Sequence, residues 1–242
     1  MGFVQDLWRS TIGKKIVMAV TGIIGVGFVI GHMIGNLQMF KSAEAMNSYA
    51  HFLKSLGGLL WLARLILLAA VVLHVIAAYQ LSRLRLAARP VGYKRGSQRE
   101  VSTLASRTIR WGGVILLAFI VFHILHFTTR SIFPDYSATD VYGNVVEGFS
   151  IWWVSLFYVI AMVFLGLHLY HGAWSALRTL GAARPSPNPL QRRAAVAIAL
   201  VVWAGFTAIP IAVYAGLIRP EQGRTPSGPV AAAAASTATA EK

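Results

Sequence analysis

Cysteine is absent from this 242-residue sequence, and acidic side chains are scarce. Without cysteine the chain forms no disulfides, holds no iron–sulfur cluster through thiolates and attaches no c-type haem covalently. Aspartate and glutamate number eight against 22 lysines and arginines, and charged residues make up 12% of the chain. Soluble domains usually carry about 25% charged residues, so this composition excludes an ordinary soluble fold.

Hydrophobic residues make up 56% of the chain and are concentrated in five long runs. A helix that crosses the hydrocarbon core of a membrane needs about 20 apolar residues. The five predicted spans, numbered I to V, cover residues 16–40, 58–81, 111–129, 151–177 and 194–217. They predict an all-α integral membrane protein that lies in the lipid bilayer as one five-helix domain over residues 1–219.

The segments outside the spans carry weaker signals. Residues 43–56 have helical periodicity with mixed polarity, which predicts a short interfacial helix, and residues 131–150 read as a polar loop. The tail 220–242 is rich in Ala, Thr, Ser, Pro and Gly and is predicted to be disordered. The N-terminus shows no cleavable signal pattern, and we expect a multi-pass protein of the inner (cytoplasmic) cell membrane.

Basic residues are concentrated on one side of the predicted spans. Three precede span I, eight lie between spans II and III, and four lie between spans IV and V. Six of the eight acidic residues fall on the opposite side. Because Lys and Arg favour cytoplasmic segments, we expect the N-terminus inside and the C-terminus outside. The asymmetry also argues against nucleic-acid binding, which would need one continuous basic surface despite the net charge of +14.

Four predicted spans each carry a histidine, and these sort into two levels: His32 and His123, and His74 and His168. Counted from basic residues at the inner ends of the spans, at about 1.5 Å per residue, the first two lie about 20–25 Å deep and the others about 14–15 Å. An ionisable group at such depth is costly and needs a partner. Two imidazoles from different helices at one level suit a haem iron, so the pattern predicts a haem-binding bundle with two b haems.

Other polar residues near these positions are candidates for supporting roles. His126 and His171 lie one helical turn from His123 and His168 on the same face. Each could replace its neighbour as ligand, or bond a propionate, a backbone carbonyl or a quinone. Five side chains at the predicted inner rim could pair with propionates, although topology alone also places basic residues there: Arg9, Ser10, Lys14, Arg110 and Arg178.

Five segments around the histidines carry a family resemblance. They are FVIGHMIGN, NSYAHFLKSL, LHVIAAYQL, FHILHFTTR and LHLYHGAWSAL. In order and spacing, over about residues 5–218, the chain resembles the cytochrome b membrane anchor of succinate:quinone oxidoreductases (succinate dehydrogenase or fumarate reductase), in its single-subunit, five-helix, di-haem form. The resemblance puts His32, His74, His123 and His168 at the axial-ligand positions. His171 stands where relatives can carry a non-histidine residue, which favours His168 over it.

The resemblance also implies a mechanism and partners. A flavoprotein subunit and an iron–sulfur subunit on the cytoplasmic side would oxidise succinate or reduce fumarate. Electrons would pass between the iron–sulfur subunit, the inner haem (His74 and His168), the outer haem (His32 and His123) and a membrane quinone. The di-haem form favours menaquinone. This chain would then be the quinone-reactive subunit of the enzyme, with no succinate site and no catalytic residue for succinate of its own.

The sequence contains no direct quinone signature. Glu44, Asn47 and His51 lie near the predicted outer ends of spans I and II, where they could bind the quinone or exchange its protons. Capping and interfacial anchoring of the short helix over residues 43–56 would explain them equally well.

Rival classes make different demands on the same residues. A haem b anchor of another quinone-linked enzyme, such as a hydrogenase or formate dehydrogenase, uses the same paired histidines, and only the resemblance separates the two. A transporter with histidine relays would need polar or acidic partners inside the membrane, and the absence of Asp and Glu from the five spans counts against it. A purely structural anchor has no use for histidines at two matched levels.

Overall fold

The computed structural model describes residues 2–88, 103–182 and 189–220. Over these ranges the chain forms helices and no strands. A 3₁₀ segment, Leu37–Phe40, follows the second helix, and a π-helical segment, Ile124–Thr128, follows the fifth. The α-helices in chain order are α1 (Phe3–Arg9), α2 (Thr11–Asn36), α3 (Ala43–Ser55), α4 (Gly58–Ala87), α5 (Leu104–His123), α6 (Val141–Ser150), α7 (Trp152–Thr179) and α8 (Pro189–Tyr214).

Five of the described helical stretches are long and apolar enough to cross a membrane, and they contain the five predicted spans almost completely. The protein is therefore an all-α, multi-pass membrane protein. The helices run past the predicted limits, as where α4 continues to Ala87 through Arg83 and Arg85. Hydropathy marks where the bilayer ends, whereas the i→i−4 hydrogen bonds of a helix continue into the aqueous phase.

The short helix predicted over residues 43–56 is present as α3. The Ser42 hydroxyl caps it by accepting a hydrogen bond from the Ala45 amide at 3.0 Å. The loop predicted over residues 131–150 is corrected, because its second half is the buried helix α6. The Asp140 carboxylate caps α6 by accepting from the Gly143 amide at 2.9 Å. An Asp at this position starts a helix, even where a nearby glycine suggests a turn.

The chain divides into two compact units. The first contains residues 1–31, 58–110 and 166–200, and the second contains residues 32–57, 111–165 and 201–242. Helices α2, α5, α7 and α8 each contribute residues to both units. The predicted disordered tail lies outside the described residues except for Pro220, as do residues 89–102 and 183–188 of the two basic loops.

The second unit has a buried core rich in aromatic side chains, including Phe133, Tyr136, Phe149 and Tyr158. Helices α3 and α6 are tied together at its edge by Asn47. The Asn47 amide nitrogen donates to the Asp140 carboxylate at 3.0 Å, and its amide oxygen accepts from the Tyr142 backbone N–H at 3.0 Å. This core holds the segment that follows α5 against α7, which matters for the histidines described next.

Candidate functional site

His74 of α4 and His168 of α7 face each other within the first unit. Their ring centroids are 6.1 Å apart, with an angle of 53° between the ring planes. Both side chains are half-buried. Two imidazoles from two long apolar helices are therefore neighbours.

The tautomer of His74 follows from its hydrogen bonds. Its Nδ1 lies 3.1 Å from the hydroxyl of Thr21 on α2. That hydroxyl has a single proton and donates it to the Val17 carbonyl at 2.7 Å, so Thr21 accepts from Nδ1–H of His74. The lone pair of a neutral His74 is then on Nε2, the nitrogen available to a metal. Metal-bound histidines characteristically donate their other N–H in this way.

His168 lacks such a partner. Its Nδ1 is buried and has no hydrogen-bond partner among the described residues. A buried polar atom without a partner costs free energy. Such an atom in a native protein often has a functional role. His171, one turn away on α7, is half-buried.

His32 of α2 and His123 of α5 form the second pair, within the second unit. Their ring centroids are 5.7 Å apart and the planes are 81° apart. Nδ1 of His123 lies 3.2 Å from the Tyr158 hydroxyl. The amide nitrogen of Asn36, one turn from His32, donates to the His32 carbonyl at 2.7 Å and lies 3.3 Å from each ring nitrogen.

His126 is placed differently from His123. It is fully buried, and both of its ring nitrogens are occupied. Nδ1 lies 3.0 Å from the Tyr158 hydroxyl and Nε2 lies 3.2 Å from the Tyr136 hydroxyl. The ring also stacks on Phe127, with centroids 3.8 Å apart. His126 could coordinate a metal only by breaking one of these two buried hydrogen bonds, so His123 is the better ligand of the two.

Both pairs have the spacing of axial ligands. A metal–imidazole nitrogen bond is about 2 Å long, so two rings that held one iron between them would have centroids about 6 Å apart. The observed 5.7 and 6.1 Å are close to this value. Axial imidazoles can rotate about their bonds to the metal, so both interplanar angles are compatible with such a site.

A free metal ion fits the chain less well. In the described ranges there is no group of three or more His, Cys, Asp or Glu side chains that could hold an ion. A porphyrin supplies four nitrogen ligands itself and needs only two from the protein. The donor set of each pair therefore suits haem and not a bare cation.

The residues predicted at the inner rim are separated by their roles. Lys14 is buried and donates from Nζ to the carbonyls of Trp8 and Arg9 at 2.6 and 3.1 Å. The Ser10 hydroxyl accepts from the Gly13 amide at 2.8 Å and so caps the start of α2. Arg110 is exposed. Arg178 is exposed too, with its guanidinium 5.7 Å from the centroid of the Trp174 ring.

The three residues predicted near the quinone also differ. Asn47 uses both ends of its amide to hold α3 to α6. Glu44 and His51 are exposed on α3. Asn47 is thus committed to structure, and the other two remain accessible to a ligand.

Sequence reasoning missed the polar side chains that hold the histidines: Thr21, Asn36, Tyr136 and Tyr158. A signal was present for Thr21 and Tyr158, because each is a polar residue within an otherwise apolar span. Asn36 follows His32 by four residues and ends the motif FVIGHMIGN. Tyr136 lies in a polar stretch where nothing distinguished it.

Comparisons with protein-family models, with curated proteins and with solved structures find no match to this chain. The fold and the site together define a membrane protein with five long apolar helices in the described ranges and two histidine pairs that each join different helices.

Proposed function

We propose that this chain is a di-haem cytochrome b membrane anchor of a succinate:quinone oxidoreductase. The observation that carries the proposal is the presence of two histidine pairs at haem-ligand spacing, each formed between different membrane-spanning helices. His74 and His168 would hold one haem b, and His32 and His123 the other. Bound haem supplies reversible one-electron chemistry at iron.

The protein's contribution is to bind, orient and shield these groups. Thr21 holds His74 in the tautomer that presents Nε2. The lipid-facing apolar surfaces of the spans keep water away, because exposed Leu, Ile and Val side chains are favourable only against hydrocarbon. Arg110 and Arg178, both exposed at the predicted inner ends of their spans, are available to pair with propionates.

The assignment to succinate or fumarate chemistry, and the partners, rest on the family resemblance. On that basis a flavoprotein subunit and an iron–sulfur subunit bind on the cytoplasmic side, and the electrons reach a quinone, favoured as menaquinone. Glu44 and His51 are the proposed contacts for the quinone or its protons. The protein would lie in the inner cell membrane with its N-terminus inside and C-terminus outside, the His74–His168 pair being the inner one.

We expect two non-covalent, low-spin haems per chain in the purified protein. With no cysteine to form thioether links, acidic acetone should extract both completely. The haem-to-protein ratio and a reduced-minus-oxidised absorption spectrum give the measurement. A ratio near one, or no haem at all, would defeat the two-site proposal.

Identification of co-purified subunits separates this enzyme from its rivals. Mild detergent extraction of the tagged chain should bring down a flavoprotein and an iron–sulfur protein, with succinate-dependent haem reduction. A hydrogenase or formate dehydrogenase subunit in their place would assign the haem protein to another quinone-linked enzyme.

The proposed orientation predicts that Ser97→Cys resists an impermeant thiol reagent in intact cells and reacts after lysis. Ser97 lies outside the described residues, in the basic stretch between spans II and III, which positive charge should hold in the cytoplasm. Ser131→Cys, exposed beyond the other end of span III, is the matched control and should react in intact cells. If Ser97→Cys reacts in intact cells and Ser131→Cys does not, the topology is the reverse of the proposed one.

A further inference from the structure

Four side chains in the second unit form a continuous hydrogen-bonded chain. His123 Nδ1 lies 3.2 Å from the Tyr158 hydroxyl, and that hydroxyl lies 3.0 Å from His126 Nδ1. His126 Nε2 lies 3.2 Å from the Tyr136 hydroxyl. We name these residues, His123, Tyr158, His126 and Tyr136, the outer relay.

Coordination of iron by His123 would fix the direction of every bond in the outer relay. If Nε2 of His123 held the iron, Nδ1 would carry the ring proton and donate it to the Tyr158 hydroxyl. The single Tyr158 proton is then donated to Nδ1 of His126. A neutral imidazole has one donor and one acceptor nitrogen, so Nε2–H of His126 donates to Tyr136. Each proton is used once and each of the three bonds is satisfied.

We propose that Tyr158 is a positioning residue for the His32–His123 haem and that His126 is its support. Tyr158 holds the His123 ring in the ligating tautomer and, by accepting its Nδ1–H, makes the imidazole a better electron donor to iron. His126 accepts a hydrogen bond from the Tyr158 hydroxyl and so keeps the hydroxyl oxygen turned toward His123. This inference rests on the proposed function, because it concerns a ligand of the proposed haem.

The surroundings shield these hydrogen bonds from water. His126, Tyr136 and Tyr158 are all buried, so water does not compete freely for their hydrogen bonds. Phe119 and Phe149 pack edge-on against the Tyr158 ring, with centroids 5.0 and 4.8 Å away. The ring is thereby held in place independently of its hydroxyl, and removal of the hydroxyl tests the hydrogen bond alone.

The expected effect is on the redox potential of one haem. A hydrogen bond from the far nitrogen of an axial histidine raises the basicity of the ligand and favours ferric iron. Tyr158→Phe should therefore raise the midpoint potential of the haem that His123→Ala removes, with both haems retained and low-spin. The other haem should keep its potential. Redox titration followed by absorption and by electron paramagnetic resonance measures both.

Two matched variants control the experiment. Tyr170→Phe makes the same change on the same helix, at a hydroxyl that accepts a hydrogen bond from Arg192 at 3.0 Å. It should leave the potential of the His32–His123 haem unchanged. Thr21→Val removes the hydroxyl that lies 3.1 Å from Nδ1 of His74 and should raise the potential of the His74–His168 haem alone. Tyr158→Phe and Thr21→Val should thus raise the midpoint potentials of different haems.

His126→Phe and Tyr136→Phe extend the test along the outer relay. Both should shift the same haem in the same direction as Tyr158→Phe, by less, because hydrogen bonds in a chain reinforce one another. If Tyr158→Phe cannot be isolated folded, these two variants decide the matter by the same readout.

The failures are distinguishable. A wild-type protein that binds no haem overturns the proposed function and this inference together. Two haems in the wild type, with an unchanged or lowered potential in Tyr158→Phe, overturn the inference alone. Equal shifts of both haems would show a general structural effect and also contradict it.

Discussion

Replacement of His168 with Ala should remove one haem, or convert it to high spin, and it should be the same haem that His74→Ala affects. The two ring centroids lie 6.1 Å apart in one unit, so in the proposed site the loss of either ring would leave the same iron with one protein ligand. The other haem should keep its low-spin spectrum, because its ligands belong to the second unit. His32→Ala and His123→Ala should likewise both remove the second haem or convert it to high spin.

His171→Ala is the matched control for this prediction. It removes a histidine from the same helix, three residues from His168, and should preserve two low-spin signals. Electron paramagnetic resonance and haem content of each single variant give the measurement. If His171→Ala abolishes the haem that His74→Ala abolishes, while His168→Ala does not, the ligand lies one turn further along α7 and our assignment is wrong.

The second large effect is expected from Gly148→Ala in α6. A Cβ built on Gly148 would lie 2.7 Å from Nε2 of His126 and 2.7 Å from the Tyr136 hydroxyl. One added methyl would therefore force apart the hydrogen bond between His126 and Tyr136 in a fully packed region. Overpacking of this kind typically costs about 1–3 kcal/mol, so the thermal midpoint of the purified protein should fall.

Gly58→Ala provides the control, because nothing lies within 4 Å of a Cβ built at that position, and its stability should be unchanged. Gly148→Ala should also shift the potential of the His32–His123 haem, as a disturbed outer relay requires. A Gly148→Ala protein as stable as the wild type would show that α6 does not press against His126 as described.

The membrane fold could be predicted from the sequence because it depends on hydropathy along the chain, which needs no knowledge of tertiary contacts. Twenty consecutive apolar residues can satisfy their backbone in hydrocarbon only as a helix, so hydropathy along the chain locates the spans. The fixed rise per residue then converts sequence position into depth. That is why the histidine pairs could be proposed before any contact was known, and the structure brings the same residues together.

Helix α6 escaped this reasoning, since polarity and glycine in residues 131–150 resemble a loop. The segment becomes helical because Asp140 caps it and the core of the second unit buries it. Burial depends on α3 and α8, which are distant in sequence, as well as on the neighbouring helix α7. Local composition could not reveal it.

The amino-acid sequence by itself determined the class of the protein and the five long apolar spans, and it predicted a depth for each histidine. The tertiary structure decided which side chains hydrogen-bond to His74, His123 and His126. His123 and His126 are equivalent by α-helical spacing, but His126 lies in a π-helical segment, where the wider turn changes its direction. There its ring meets Tyr136 and, across 32 residues of sequence, Tyr158. The hydrogen bonds that distinguish His123, the candidate ligand, from His126, its support, involve Tyr136 and Tyr158. Only folding brings these residues close to the histidines.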